Sequence, residues 1–166
     1  LTLDMLPETY YKKKQTINGY SYIFYINDEK YGFEHQYVRN MLHLHNGFLK
    51  GEMLPYSEVG QLMGISATDW SWSPLFADFD NDGDKDLIVS NGFPKDETDK
   101  DWTRFKAEAE GSYASDELLI DMAPAVKIPN VAYENTGDPG FVKRTDWLPK
   151  NPSYSYGASF VDLDND

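Results

Sequence analysis

The stretch Asp78-Phe79-Asp80-Asn81-Asp82-Gly83-Asp84-Lys85-Asp86-Leu87-Ile88-Val89 decides how the rest of the chain is read. Five carboxylates fall at alternate positions over 78–86. Carboxylates about 4 Å apart repel by roughly 1 kcal/mol in water and by more where water is excluded, so a folded loop that converges them needs a cation. The spacing suits a hard one, with side-chain oxygens at loop positions 1, 3 and 5, Gly at 6 for the sharp turn and a backbone carbonyl at 7. Here those are Asp78, Asp80, Asp82, Gly83 and the carbonyl of Asp84, and Asp86 at position 9 closes the shell. Position 12, where an EF-hand carries Glu before a helix, is Val89. Leu87-Ile88-Val89-Ser90 is apolar and β-branched, which marks a strand, and residues 72–79 also look extended. The loop therefore joins two strands in a hairpin. So many oxygens on a flexible loop favour Ca²⁺ over Mg²⁺, which keeps its waters. The alternative is an acidic turn, solvated and without an ion.

The loop occurs twice. Trp70 to Asp82 aligns without gaps to Tyr154 to Asp166, so that Ser71, Phe76, Asp78, Asp80 and Asp82 recur as Ser155, Phe160, Asp162, Asp164 and Asp166. Asn130 to Gly137 echoes Met41 to Gly47, and Leu1 to Pro7 can be laid on Ile88 to Pro94. Repeats of this kind imply stacked supersecondary units. Residues 1–5, 38–46 and 53–60 are read as second, third and fourth strands of one unit. Residues 70–79, 86–91, 129–136 and 140–145 make the first to fourth strands of the next, and 154–163 opens a third. Four-stranded antiparallel units around a channel are propeller blades. The expected fold is all-β with helical insertions, a segment of a β-propeller. It comprises a partial blade over 1–60, a complete blade over 61–145 and the start of another over 146–166 with a truncated calcium loop. That register implies a piece of a longer repeat protein.

On these residues the chain resembles the FG-GAP/VCBS family, whose repeats form the blades of the propeller in integrin α-subunits. Phe76 to Val89 is similar to the family's Asp-x-Asp-x-Asp-Gly-x-x-Asp core, and Phe160 to Asp166 to its first half. Asp4 to Glu8, Arg39 to Leu42, Gly64 to Trp72 and Val126 to Asn130 resemble large bacterial VCBS-repeat proteins related to the cartilage acidic protein group. The resemblance implies Ca²⁺ held by Asp78, Asp80, Asp82, Asp84 (through its carbonyl) and Asp86, and in part by Asp162, Asp164 and Asp166. It also implies an exported protein at the cell surface, outer-membrane-associated (a lipoprotein, for instance) or extracellular. Millimolar extracellular Ca²⁺ fills sites of modest affinity.

The 166 residues carry 28 Asp and Glu against 15 Lys and Arg, a net charge of −13, which argues against a nucleic-acid partner. There is no Cys, hence no disulfide, thiolate site or Cys nucleophile, and no apolar run long enough for a membrane span. Insertions at 7–37 and 94–128 separate second from third strands. In the second, Thr98 or Asp99 caps a helix with Trp102, Phe105 and Ala109 on one face, and Ser115 to Met122 forms another short helix. The first holds Tyr10, Tyr11, Tyr20, Tyr22, Tyr25, Tyr31 and Tyr37, read as rings that pack the insertion onto the sheet or grip a partner. Trp70 and Trp72, echoed by Tyr154 and Tyr156, suit packing common to all units more than sugar platforms. His43 and His45 alternate on a strand with no third zinc ligand near them. No catalytic constellation stands out. The expectation is a non-enzymatic calcium-binding module that binds or scaffolds a protein or glycan partner. The alternatives are part of a carbohydrate-active enzyme and a structural subunit of a larger outer-membrane complex.

Overall fold

The structure is a computed structural model and describes residues 1–17, 21–109, 115–137 and 140–161. Its centre is a four-stranded antiparallel meander of β5 (Ser71–Ala77), β6 (Asp86–Asn91), β7 (Val131–Asn135) and β8 (Phe141–Arg144) in chain order. The four strands fall where the complete unit is expected to have them, the second with its expected bounds and the other three shorter by one or two residues at each end. Leu75 faces Ile88, Ile88 faces Ala132 and Ala132 faces Arg144, which fixes the register across the sheet. Pro74 is tolerated because β5 is an edge strand and needs no amide on its open side. One extra residue bulges β5 between Ser71 and Pro74, and the bulged Ser73 amide is satisfied by Ser90 Oγ at 3.0 Å.

Residues 1–69 are less regular than their sequence echo suggests. β1 (His43–Leu44) pairs with β4 (Ser57–Glu58), and the expected strand over 1–5 is reduced to one bridge, Thr2 to Met41. The order is nonetheless that of a second, third and fourth strand. Between β1 and β4 lies a small hairpin, β2 (Phe48–Leu49) and β3 (Glu52–Met53), turned by Lys50 and Gly51, both at positive φ. The main core lies where this segment meets the sheet. Leu87, Val89 and Tyr133 project from one face against Ile65, with Leu1, Leu3, Leu42 and Met63 packed around them.

Both insertions carry helices. The second contains α3 (Lys100–Ala109) and α4 (Asp116–Asp121). Asp99 caps α3 through the Trp102 amide (2.9 Å), and Ser115 caps α4 through that of Leu118 (3.3 Å). Trp102, Leu119 and Ala123 form a separate small core there, while Phe105 stays largely exposed. The first insertion contains α1 (Tyr10–Gln15) and α2 (Tyr22–Tyr31), neither with a buried residue. The expectation that its tyrosines pack onto the sheet is not met for Tyr10, Tyr11, Tyr22 and Tyr31, which are 63–77% exposed. Tyr25 stacks on His35 at 4.3 Å, and Tyr20 lies outside the described residues. The two insertions touch: Ile17 N donates to Thr98 O (2.7 Å) and Lys100 Nζ to Lys14 O (2.8 Å). Among the described residues no helix is long and apolar enough to cross a membrane.

The segment 154–161, expected to open a further strand, does not join the sheet as a strand. It is held through a bridge from Ser153 to Ile128 and by Ser155 N donating to Asn91 O (2.9 Å). Two of the recurrent aromatics meet each other and a third packs on a neighbouring ring. Trp72 packs edge-on against Tyr156 at 5.1 Å, and Trp70 stacks on Phe93 at 4.6 Å, which favours packing over sugar binding for these rings.

Candidate metal centre

The acidic segment is the turn between β5 and β6, at the opposite end of the sheet from both insertions, because it follows a first strand and they follow second strands. Its conformation is set locally. Asn81 (φ 61°) and Gly83 (φ 96°) take the left-handed region, which Asn tolerates and Gly adopts without steric cost. The carboxylates then fold back onto the loop's own amides. Asp78 accepts from Asp82 N (3.1 Å) and Gly83 N (2.9 Å), and Asp80 from Asp82 N (3.3 Å). Asp82 accepts from Asp84 N at 2.8 Å.

Asp86 differs from the others. It is fully buried, at 0% exposure, and its two oxygens accept one backbone amide each, Phe79 N and Asn135 N, both at 2.9 Å. It thus pins both the loop and the end of β7.

Asp78, Asp80 and Asp86 each offer a carboxylate oxygen, and these three atoms lie within 4.8 Å of one another. Among the described residues no other such group of three potential metal ligands forms. Asp82, expected in the same shell, is not in this group, its side chain being engaged by the Asp84 amide; Asp84 is expected to offer its backbone carbonyl and not its carboxylate. Asp162, Asp164 and Asp166 lie outside the described residues. His43, in β1, and His45, just beyond its end, are both exposed, and His45 Nδ1 accepts the Gly47 amide at 3.0 Å.

The electrostatics of the cluster register the crowding. The Asp80 carboxyl is pushed above the usual carboxylate range, first by loss of hydration in the loop and then by the Asp82 and Asp86 charges beside it. No cationic side chain pairs with Asp78, Asp80 or Asp86 among the described ion pairs. A donor set of three carboxylates without imidazole or thiolate fits a hard cation and not zinc or copper.

Residues 18–89 match the FG-GAP-like repeat family. The FG-GAP-like stretch begins in the first insertion and ends in β6, so it contains the whole acidic turn. Comparison with curated proteins returned no match, and neither did comparison with solved structures.

The contribution of Asp86 as a double amide acceptor was not legible in the sequence, which marked it only as another ligand. Its partner Asn135 is distant in sequence, and the one signal was that Asp86 directly precedes the apolar run Leu87-Ile88-Val89.

Proposed function

We propose that this chain is a calcium-stabilised segment of a β-propeller that serves as a binding module, not an enzyme, in an exported surface protein. The observation that carries the reading is the convergence of Asp78, Asp80 and Asp86 within 4.8 Å on a turn braced by its own amides. The cation would be held by these three carboxylates, with Asp82 and the Asp84 carbonyl as further oxygens from the same turn. Its role is to neutralise charge and fix the β5–β6 hairpin. The four-stranded meander supports a blade, and the strand order in residues 1–60 supports part of a neighbouring one. The long insertions, placed together at the end opposite the turn, would engage the partner, a protein or a glycan.

The experiment is thermal unfolding of the chain with millimolar CaCl₂ and with EDTA. Calcium is expected to raise the midpoint, and MgCl₂ to raise it less. An unchanged midpoint between the two conditions would remove the calcium reading. Product release from a panel of glycans would overturn the non-enzymatic one.

A further inference from the structure

Two asparagines, each one residue before the partner of a second strand (Met41 opposite Thr2, Val131 opposite Val89), carry the same hydrogen-bond arrangement. Asn40 Oδ1 accepts the amide of Asp4 at 2.9 Å, and Asn40 Nδ2 donates to Thr68 Oγ1 at 2.5 Å. One repeat later, Asn130 Oδ1 accepts the amide of Asn91 at 2.9 Å, and Asn130 Nδ2 donates to Ser155 Oγ at 3.1 Å. Asp4 and Asn91 are themselves equivalent in the internal alignment. In both places the hydroxyl that is reached contacts a second one. Thr68 pairs with Ser71 at 2.6 Å, and Ser155 with Ser153 at 2.9 Å. The order of the two hydroxyls is exchanged, because Ser71 and Ser155 are the aligned pair.

The two arrangements join. Ser71 Oγ lies 3.2 Å from Asn91 Oδ1 and 2.9 Å from Thr68 O and shares its one proton between such acceptors, so a continuous polar run passes from Asn40 through Thr68, Ser71, Asn91 and Asn130 to Ser155. Asn40, Thr68 and Asn91 are each 1% exposed. Buried amide groups of this kind persist only when satisfied, and losing one partner strands the other without water.

In each case the Asn stands at the head of a third strand. Its oxygen is taken by the second strand of its own repeat, and its amide reaches a hydroxyl carried by the stretch that opens the next. We propose that this Asn is an inter-repeat latch, a surface that recognises the Ser- or Thr-bearing first-strand segment of the following copy. The approach of the two segments is close. Gly92, at φ 111°, has no room for a Cβ against the Ser153 carbonyl, and the Ser153 amide donates to Ile128 O at 3.0 Å. The latch rests on the reading of the chain as successive repeats and not on calcium.

Amide hydrogen exchange of the whole chain, in EDTA and in CaCl₂, tests it with Ser155→Ala, Ser155→Thr and Asn130→Ala. Ser155 is a partly exposed position, so its variants are expected to fold. Ser155→Ala should speed exchange at the Ser153, Ser155 and Asn91 amides about ten-fold in both conditions and leave β7 and β8 unchanged, while Ser155→Thr restores protection. Asn130→Ala combined with Ser155→Ala should add little to either alone. Unchanged exchange at Ser153 and Ser155, failure of Ser155→Thr to restore it, or full additivity overturns the latch. A rise spread evenly over β5–β8 also overturns it, since Ser155 would then support the fold generally. The repeat reading fails separately if β5–β8 do not exchange as one unit in the unaltered chain.

Discussion

Asp86→Asn is the perturbation that separates the structural contribution of the acidic turn from its affinity for a cation. Both Asp86 oxygens are buried and each accepts a backbone amide at 2.9 Å, Phe79 on one side and Asn135 on the other. Hydrogen bonds to a charged group contribute about 1.5–3 kcal/mol each, and an unsatisfied buried amide costs about 1–3 kcal/mol. Asn keeps one oxygen and turns an NH₂ towards the other amide, so one bond is lost and two donors are left facing each other. The terms overlap, and the expected destabilisation without any cation is about 2–4 kcal/mol. At about 2–4 °C per kcal/mol for a chain of this size, the thermal midpoint falls by about 4–16 °C. The assay is urea unfolding followed by near-ultraviolet circular dichroism in EDTA, repeated in calcium, where the loss should be larger because a proposed ligand is also removed. A change below about 0.5 kcal/mol in EDTA, the range of ordinary surface substitutions, would refute the reasoning that Asp86 pins the loop to β7.

Asp80→Asn should behave in the opposite way: unfolding in EDTA is unchanged or slightly harder, because crowding of charge is relieved, while the stabilisation gained from calcium shrinks. Titration of the midpoint against calcium concentration reads this, and a clear destabilisation in EDTA would count against it. The raised Asp80 carboxyl means that the folded chain holds this proton more tightly than the unfolded one. Without a cation, Asp80 therefore contributes falling stability as pH rises from the ordinary carboxylate range through its own higher value, and nothing further above it. With the proposed Ca²⁺ site filled, saturating calcium should reverse the slope by competing with the proton. The difference between the unaltered chain and Asp80→Asn isolates this from other carboxylates; a difference of the other sign in EDTA would sink it. Leu119→Ala, at a site 2% exposed in the small core of the second insertion, should cost that insertion about 2–5 kcal/mol. Hydrogen exchange should then rise in α3 and α4 while β5–β8 stay protected.

What the sequence revealed and what it concealed divide by the range of the signal. The β5–β6 hairpin was legible because its Asp-Gly turn, its β-branched exit and its repeat at 154–166 are all local patterns. The same holds for the cap at Asp99 and for β7 and β8, each opening on apolar or aromatic residues next to turn residues. α2 was not seen as a helix. Its apolar and polar side chains are spread around the whole helix, so Tyr22 to Tyr31 shows no helical face and reads only as aromatic richness. The β2–β3 hairpin escaped notice because two-residue strands carry no periodicity, although Lys50-Gly51 is turn chemistry. The absence of Asp82 from the carboxylate trio, the amide pins on Asp86 and the asparagine run all depend on contacts that spacing along the chain does not encode.

The neck of the second insertion has a practical meaning. Phe93 and Val126 exchange both of their amide-to-carbonyl bonds, at 2.9 and 2.8 Å, so the chain leaves the sheet and returns to it at one point. Between them lies a cassette with its own core, which also touches the first insertion at Thr98 and Lys100, and its loss would leave the chain ends already in place to close. Evolution can lengthen, shorten or exchange such a branch without moving a single strand register. A protein engineer can do the same, replacing residues 94–125 by a short turn or by a foreign loop.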